Sequence, residues 1–281
     1  MSERPAEMGM PPGPITSLTN PRIKAAVRLR DRAERDATGL TIIDGAREIR
    51  RALDAGVVVE TAFVAGDLIR TPDAVEVAAR LRHRPSTLHV SPTVLAKVAF
   101  GDRSDGIVAI VRTPNLTIDD LVLPDEPLIV VVEGLEKPGN LGAIVRTADG
   151  AGAHAVIAVD PRTDPYNPNA IRASLGTIFG LPICTATTAE TIDWLVRHGI
   201  RPVATIVGAP TPWSSADLTG PLAIVLGSEA TGLSLAWDRA GVTAISLPML
   251  GLADSLNVST AAAIVLYEAV RQRTILPARG H

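Results

Sequence analysis

From residue 128 onward, short apolar runs alternate with segments of helical spacing. The runs are LIVVVEGL (128–135), AVIAVD (155–160), PICTAT (182–187), RPVATIV (201–207), PLAIVLGSE (221–229) and AGVTAISLPM (240–249). Helices are expected at 140–152, within 167–180, at 189–199 and over the long terminal stretch SLNVSTAAAIVLYEAVRQR (255–273). Runs as continuously apolar as LIVVV and LAIVL suit strands covered on both faces. Alternation of strand with helix demands a parallel sheet with right-handed crossovers. The expected fold class is α/β.

A second α/β unit precedes it. Residues 20–37 read as one Arg-rich helix, with Asn20 as cap and Pro21 in the first helical position. Strands follow at 40–45, 57–65, 87–91 and 106–113, with helices at 46–55, 72–82 and 92–98. Such a unit is large enough to fold alone. PNLTIDDLVLPDEP (114–127) has proline near both ends and little periodicity, as an interdomain connection would. The expected organisation is a disordered tail over 1–14, an N-terminal domain over 15–112, a linker over 113–127 and a C-terminal domain over 128–275.

The 281 residues are 46% hydrophobic but only 3% aromatic, so the core must be aliphatic. One cysteine, Cys184, and five histidines without clustering give no disulfide and no metal site, and none is expected. No stretch of about 18 uncharged apolar residues appears, and the first residues lack the apolar region of a signal peptide. A cytoplasmic protein is expected.

The formal charge of −3 argues at first against a polyanion partner. The split along the chain reverses this. Residues 1–112 hold 17 Lys and Arg against 14 Asp and Glu, a net of +3; residues 113–281 hold 10 against 16, a net of −6. The densest basic run is Arg22, Lys24, Arg28, Arg30, Arg32 and Arg35, interleaved with Asp31, Glu34 and Asp36. A solvated helix face and a phosphate-gripping face are both open readings of that run.

In open α/β sheets, ligands bind beyond the carboxyl ends of strands. Here those ends read GLEKPGNLGAIVR, VGAP, GSEATGLS and PMLGLADSLNVS, rich in Gly, Pro and small polar residues. A nucleotide-like ligand fits. No P-loop, dinucleotide fingerprint or nucleophile elbow is present. Asn140 reads first as a helix cap, with Arg146 on a broadly similar face six residues on. Glu229 reads as a charge at a helix start, and Asn257 and Ser259 as residues of a helix-opening turn. Each reading is ordinary alone; their convergence on one sheet edge is not.

EKPGNLGAIVRTA (136–148), IVLGSEATGLS (224–234) and SLPMLGLADSLNVSTAAAIVLYEAVRQR (246–273) resemble, in order, the three motifs of the SpoU (TrmH-type) RNA 2′-O-ribose methyltransferases of the SPOUT superfamily. The N-terminal unit resembles the ribosomal-protein-like substrate-binding domain of many members. Within the family the chain looks most like 23S rRNA methyltransferases, including those that give producer bacteria antibiotic resistance.

The resemblance implies a C-terminal domain with a deep trefoil knot, and S-adenosylmethionine held by Gly227, Leu247, Met249, Leu256, Asn257 and Ser259, with Thr205, Val207 and Gly208 completing the pocket. By motif position it makes Arg146, Asn140, Glu229 and Asn257 the catalytic group. It also implies a homodimer through the C-terminal domain and an RNA partner. Arg22, Lys24, Arg28, Arg30, Arg32 and Arg172 are the candidate RNA contacts. The rivals are a tRNA ribose methyltransferase, a catalytically silent RNA-binding or ribosome-assembly protein on the same fold, and a nicotinamide-dependent oxidoreductase, the last disfavoured by the missing glycine fingerprint.

Overall fold

A computed structural model describes residues 13–101, 105–239 and 241–275. The tail expected over 1–14 falls almost wholly outside them. The first half of the chain gives α1 (Pro21–Arg28), α2 (Arg32–Thr38), β1 (Leu40–Asp44), α3 (Ala46–Asp54), β2 (Val59–Val64), α4 (Pro72–Leu81), β3 (Thr87–His89), α5 (Pro92–Val98) and β4 (Ile107–Arg112). The second half gives β5 (Leu128–Glu133), α6 (Pro138–Gly150), β6 (Ala155–Val159), α7 (Pro168–Ala173), β7 (Ile183–Ala186), α8 (Thr188–Arg197), β8 (Arg201–Thr205), β9 (Thr211–Pro212), β10 (Leu222–Leu226), α9 (Leu235–Arg239), β11 (Thr243–Ser246) and α10 (Val258–Ile275).

One local rule starts several helices. Asn20, Thr71, Ser91 and Asn167 each accept a hydrogen bond from a first-turn amide, and each is followed by proline in the helix start. The side chain satisfies an orphan N–H, and proline needs no donor there. The single helix expected over 20–37 is in fact two. α1 closes at Leu29 and α2 starts after Asp31, because Leu29 is buried in the core and the chain must turn to bring Arg35 inward.

The first sheet runs β1-β4-β2-β3. Its β1–β4 and β2–β4 pairs are antiparallel and its β2–β3 pair is parallel. Ile23, Phe63, Val94, Leu95 and Val108 fill one face under α1 and α5, while Ile49, Ala52, Val77 and Leu81 fill the other under α3 and α4.

The second sheet runs β7-β6-β5-β10-β8-β11-β9, and every pairing in it is parallel. In β5, Leu128, Val130 and Val132 face one core cluster, and Ile129 and Val131 face another that contains Trp194 and Trp237. Two buried faces explain a run without alternation. The connecting stretch is packed rather than free: Leu116 pairs with Cys184, and Ile118, Leu121 and Leu123 lie on the Trp194 cluster. The first core cluster is continuous from α3 and α4 to α6 and α10, so the two sheets share packing.

Candidate active site at the strand ends

Strands β5, β10, β8 and β11 are consecutive neighbours in a parallel sheet, so their carboxyl ends share one edge. A cavity of about 330 Å³ opens there. Of the residues that the resemblance assigns to the cofactor, Thr205, Val207, Gly227, Leu247, Met249 and Leu256 line it. Gly208, Asn257 and Ser259 stand outside the lining. Gly208 has φ +75° in the turn that follows β8, while Asn257 and Ser259 open α10. Ile206, Ser228, Gly232, Leu233, Ser255, Val258 and Ala261 also line the cavity and were not singled out from sequence. For all but Ile206, which follows β8 between Thr205 and Val207, position inside the second or third motif stretch was the available signal.

The loop after β10 is folded tightly upon itself. Ser228 and Gly232 exchange backbone hydrogen bonds, and a Cβ on Gly227 would collide with the Gly232 carbonyl carbon and stand 2.6 Å from Leu233 N. Buried Glu133, at the end of β5, secures the far end of the loop. It accepts from Ser234 N at 2.8 Å, and from the Ser234 and Thr188 hydroxyls at 2.7 Å each.

The same loop presents Glu229 at the cavity mouth. Its Oε2 accepts from Lys137 Nζ at 2.7 Å; its Oε1 accepts from Asn140 Nδ2 at 3.0 Å and Asn257 Nδ2 at 2.7 Å. Asn257 Nδ2 also lies 3.3 Å from Asn140 Oδ1. The Lys137 ammonium, aided by the Asn140 amide and the Val258 N–H, holds the Glu229 carboxyl below its ordinary value. Asn257 serves twice, because its Oδ1 accepts from Ser259 N at 2.9 Å and Ser259 Oγ at 2.6 Å and so starts α10. Asn140 is not the cap of α6: Lys137 takes that place with Pro138 first in the helix, which leaves the Asn140 side chain free for Glu229.

Arg146 does not share the Asn140 face. At about 100° per residue, six positions turn the helix through about 240°. Arg146 is exposed, with no ion-pair partner among the described residues, between buried Val145 and Ala148.

The basic run is largely committed to the fold. Arg28 pairs with Glu34 at 3.1 Å, and Arg30 donates to Lys97 O and Ala99 O. Arg35 is buried, 4% exposed, in a 2.6 Å ion pair with Asp164 of the second half. Arg172 faces Asp44 at 3.7 Å and lies over the Gly101 backbone. Arg22 and Lys24 are exposed, without ion-pair partners among the described residues, and Arg32 is half-exposed beside Asp36.

Residues 127–267 match the SpoU rRNA Methylase family model, and residues 20–109 match the MRM3-like substrate binding domain. A 23S rRNA (uridine(2479)-2′-O)-methyltransferase of Streptomyces viridochromogenes is 32% identical over 254 residues, 87% of each chain. This chain belongs to the SpoU rRNA methylase family. The 23S rRNA (guanosine-2′-O-)-methyltransferase RlmB of Ralstonia nicotianae is 37% identical over 66% of this chain and 76% of its own. Among solved structures, an RNA 2′-O ribose methyltransferase is 43% identical with a TM-score of 0.83, covering 94% of this chain and 100% of its own. An AdoMet-bound rRNA methyltransferase from Sinorhizobium meliloti is 32% identical, also at 0.83, over 94% and 99%. Family membership gives the fold class and the motif arrangement a common explanation: the SPOUT-type parallel sheet brings all three motifs to one edge.

Proposed function

We propose that this chain is a methyltransferase that uses S-adenosylmethionine to methylate a ribose 2′-hydroxyl of 23S rRNA. The observation that carries the reading is the joining of two sites by one residue. Glu229 lines the cavity and also gathers Lys137, Asn140 and Asn257.

The cavity suits the cofactor. Its volume of about 330 Å³ lies within the range of small-molecule pockets. Leu233, Leu247, Leu256 and Val258 offer apolar contact for an adenine, and the backbone groups around Gly227 and Leu247 can read its edge. When bound, S-adenosylmethionine supplies a methyl group already activated on a sulfonium. The protein's remaining task is to position the hydroxyl and favour charge developing on its oxygen.

Glu229 holds the two Asn side chains and Lys137 in fixed relation, which pre-organises the ribose side of the cavity. Arg146 acts on the acceptor. A guanidinium stays protonated in proteins, so its work is to stabilise the developing alkoxide or to hold the neighbouring phosphate, while the hydroxyl proton passes to solvent water as the methyl is transferred.

A homodimer through the second domain fits the same reading. Arg146 stands exposed, and Tyr267 on α10 and Leu250 and Leu252 beside the cavity are 53%, 96% and 105% exposed. A partner covering these residues would bring Arg146 into a site that one copy leaves without it. No described helix is long and apolar enough to cross a membrane.

The test is methylation of unmodified 23S rRNA transcript by the purified protein with labelled S-adenosylmethionine, with the modified nucleotide mapped by ribose-methylation sequencing. Label on a base, or on tRNA alone, would overturn the assignment. Light scattering of the same protein distinguishes one copy from two.

A further inference from the structure

A strap of chain, residues 160–164, joins the Glu229 cluster to the N-terminal domain, and Arg162 is its one cation, exposed between Asp160 and Asp164. Arg162, after β6, donates its backbone N–H to Leu135 O at 3.1 Å, which fastens it to the β5–α6 loop that carries Lys137. Its carbonyl accepts from Arg32 Nη1 of α2 at 2.7 Å, across the seam between the two sheets. Its guanidinium is paired with Glu136. Arg162 is thus tied by its own backbone to the loop of Lys137 at one end and to the Arg32 side chain at the other.

We propose that Arg162, flanked by Lys137 and Arg32, grips RNA backbone phosphates where the strand passes from the substrate-binding domain to the Glu229 cluster. This rests on the reading of 23S rRNA as substrate. The three cations have side chains 67%, 70% and 49% exposed. Ion pairs that open to water contribute little, so exchange of the Glu136 carboxylate for a phosphate is nearly free. A planar guanidinium meets a phosphate with two parallel bonds, which a carboxylate held at a loop can be displaced from. Glu136 holds the Arg162 fork extended at the seam until RNA arrives, and competes with it thereafter.

The experiment measures binding of the full-length protein to unmodified 23S rRNA transcript by filter binding over a salt series, with S-adenosylmethionine affinity by calorimetry and KM and kcat for the transcript alongside. Arg162→Ala is expected to weaken RNA binding roughly tenfold and to lower the salt slope by about 0.7, the value of one phosphate contact on a single strand, with cofactor affinity unchanged. Arg162→Lys recovers part of the loss. Glu136→Gln moves affinity the other way, because it removes the competitor. A merely structural pair predicts that Arg162→Ala and Glu136→Gln shift RNA affinity in the same direction or leave it alone while both lower the melting temperature; either result overturns the proposal. Wild-type protein that binds the cofactor but not the transcript would overturn the rRNA reading, and this proposal with it.

Discussion

The Asn140 amide reaches Glu229 Oε1 at 3.0 Å across 89 residues of sequence. That single bond ties the helix after the central strand to the loop that walls the cavity. It makes the carboxylate a shared part of the cavity wall and of the Lys137–Asn140–Asn257 cluster. Glu229→Gln keeps the size but replaces one acceptor oxygen by an NH₂, set either against Lys137 or against Asn140 and Asn257. The expected result is a fall in kcat of about 10²-fold. Methyl transfer to the transcript, followed against time under saturating cofactor, checks it.

Arg146→Ala should lower kcat by about 10²–10³-fold, the size seen when one donor to a developing oxyanion is lost. Cofactor affinity by calorimetry should stay within about twofold, because Arg146 is outside the cavity lining. Wild-type turnover in this variant would remove Arg146 from the mechanism.

Gly227→Ala acts by shape. The new methyl meets the backbone of Gly232 and Leu233, which lies in a tight turn and has no flexible side chain to yield. Opening that turn shifts the wall of the cavity. Overpacking of this kind typically costs about 1–3 kcal/mol. Cofactor binding is expected to weaken by roughly tenfold or more in a titration.

Arg35→Ala strips a buried charge pair and leaves Asp164, Leu29 O and Arg30 O without their donor. Removal of one partner from a buried pair costs about 3–5 kcal/mol, and partial exposure of Asp164 places this case at about 3. Urea unfolding should show the loss. Limited proteolysis should cut the connection between the sheets sooner, with methyl transfer falling in parallel.

Two groups of carboxyls pull stability in opposite directions with pH. Burial pushes Asp44 and Glu48 above their ordinary values of 3.8 and 4.5. Each then binds its proton more tightly in the folded chain, so stability falls as pH rises from the ordinary value through the raised one. Glu268 is held down to about 2 by Arg271 first and then Gln272, so its contribution is present above 4.5 and vanishes as pH falls toward 2. The denaturation midpoint is expected to peak at mildly acidic pH. Asp44→Asn should flatten the limb above that peak and Glu268→Gln the limb below it.

Much of the second sheet was legible in the sequence, because a strand buried on both faces must be apolar at every position, and β5 and β10 are. The cluster was legible as residue types at strand ends, but Asn140 was misplaced by local reasoning. A cap is the commonest use of an Asn near a helix start, and only the fold brings Glu229 beside it. The arginine run shows the same limit. Arg35 looks like its neighbours in sequence, yet its partner is Asp164, 129 residues on, and pattern alone carries no sign of that distance. The break between α1 and α2 was hidden for the same reason, since the turn serves tertiary placement and no Gly or Pro marks it. The mixed pairing of the first sheet follows from how β4 returns between β1 and β2, which alternation does not specify.

The seat of the N-terminal domain is made of residues that the second half supplies. Thr41 Oγ1 donates to Tyr166 O at 2.7 Å, Arg51 Nη1 donates to Leu175 O at 2.8 Å, and a side chain at Gly176 would come within 2.8 Å of Glu48 Cα. On its other side α7 presses on α6, where a Cβ on Gly142 would stand 2.7 Å from Ala173 Cβ and collide with Ala170 O. These contacts seat the N-terminal domain directly on the chain around α7 and, through α7, on the helix of Asn140 and Arg146. A chimera that exchanges the N-terminal domain alone is expected to lose this seat, and a lowered melting temperature would show it. A working chimera has to carry residues 160–176 with it, because the socket and the plug are encoded in different halves of the chain.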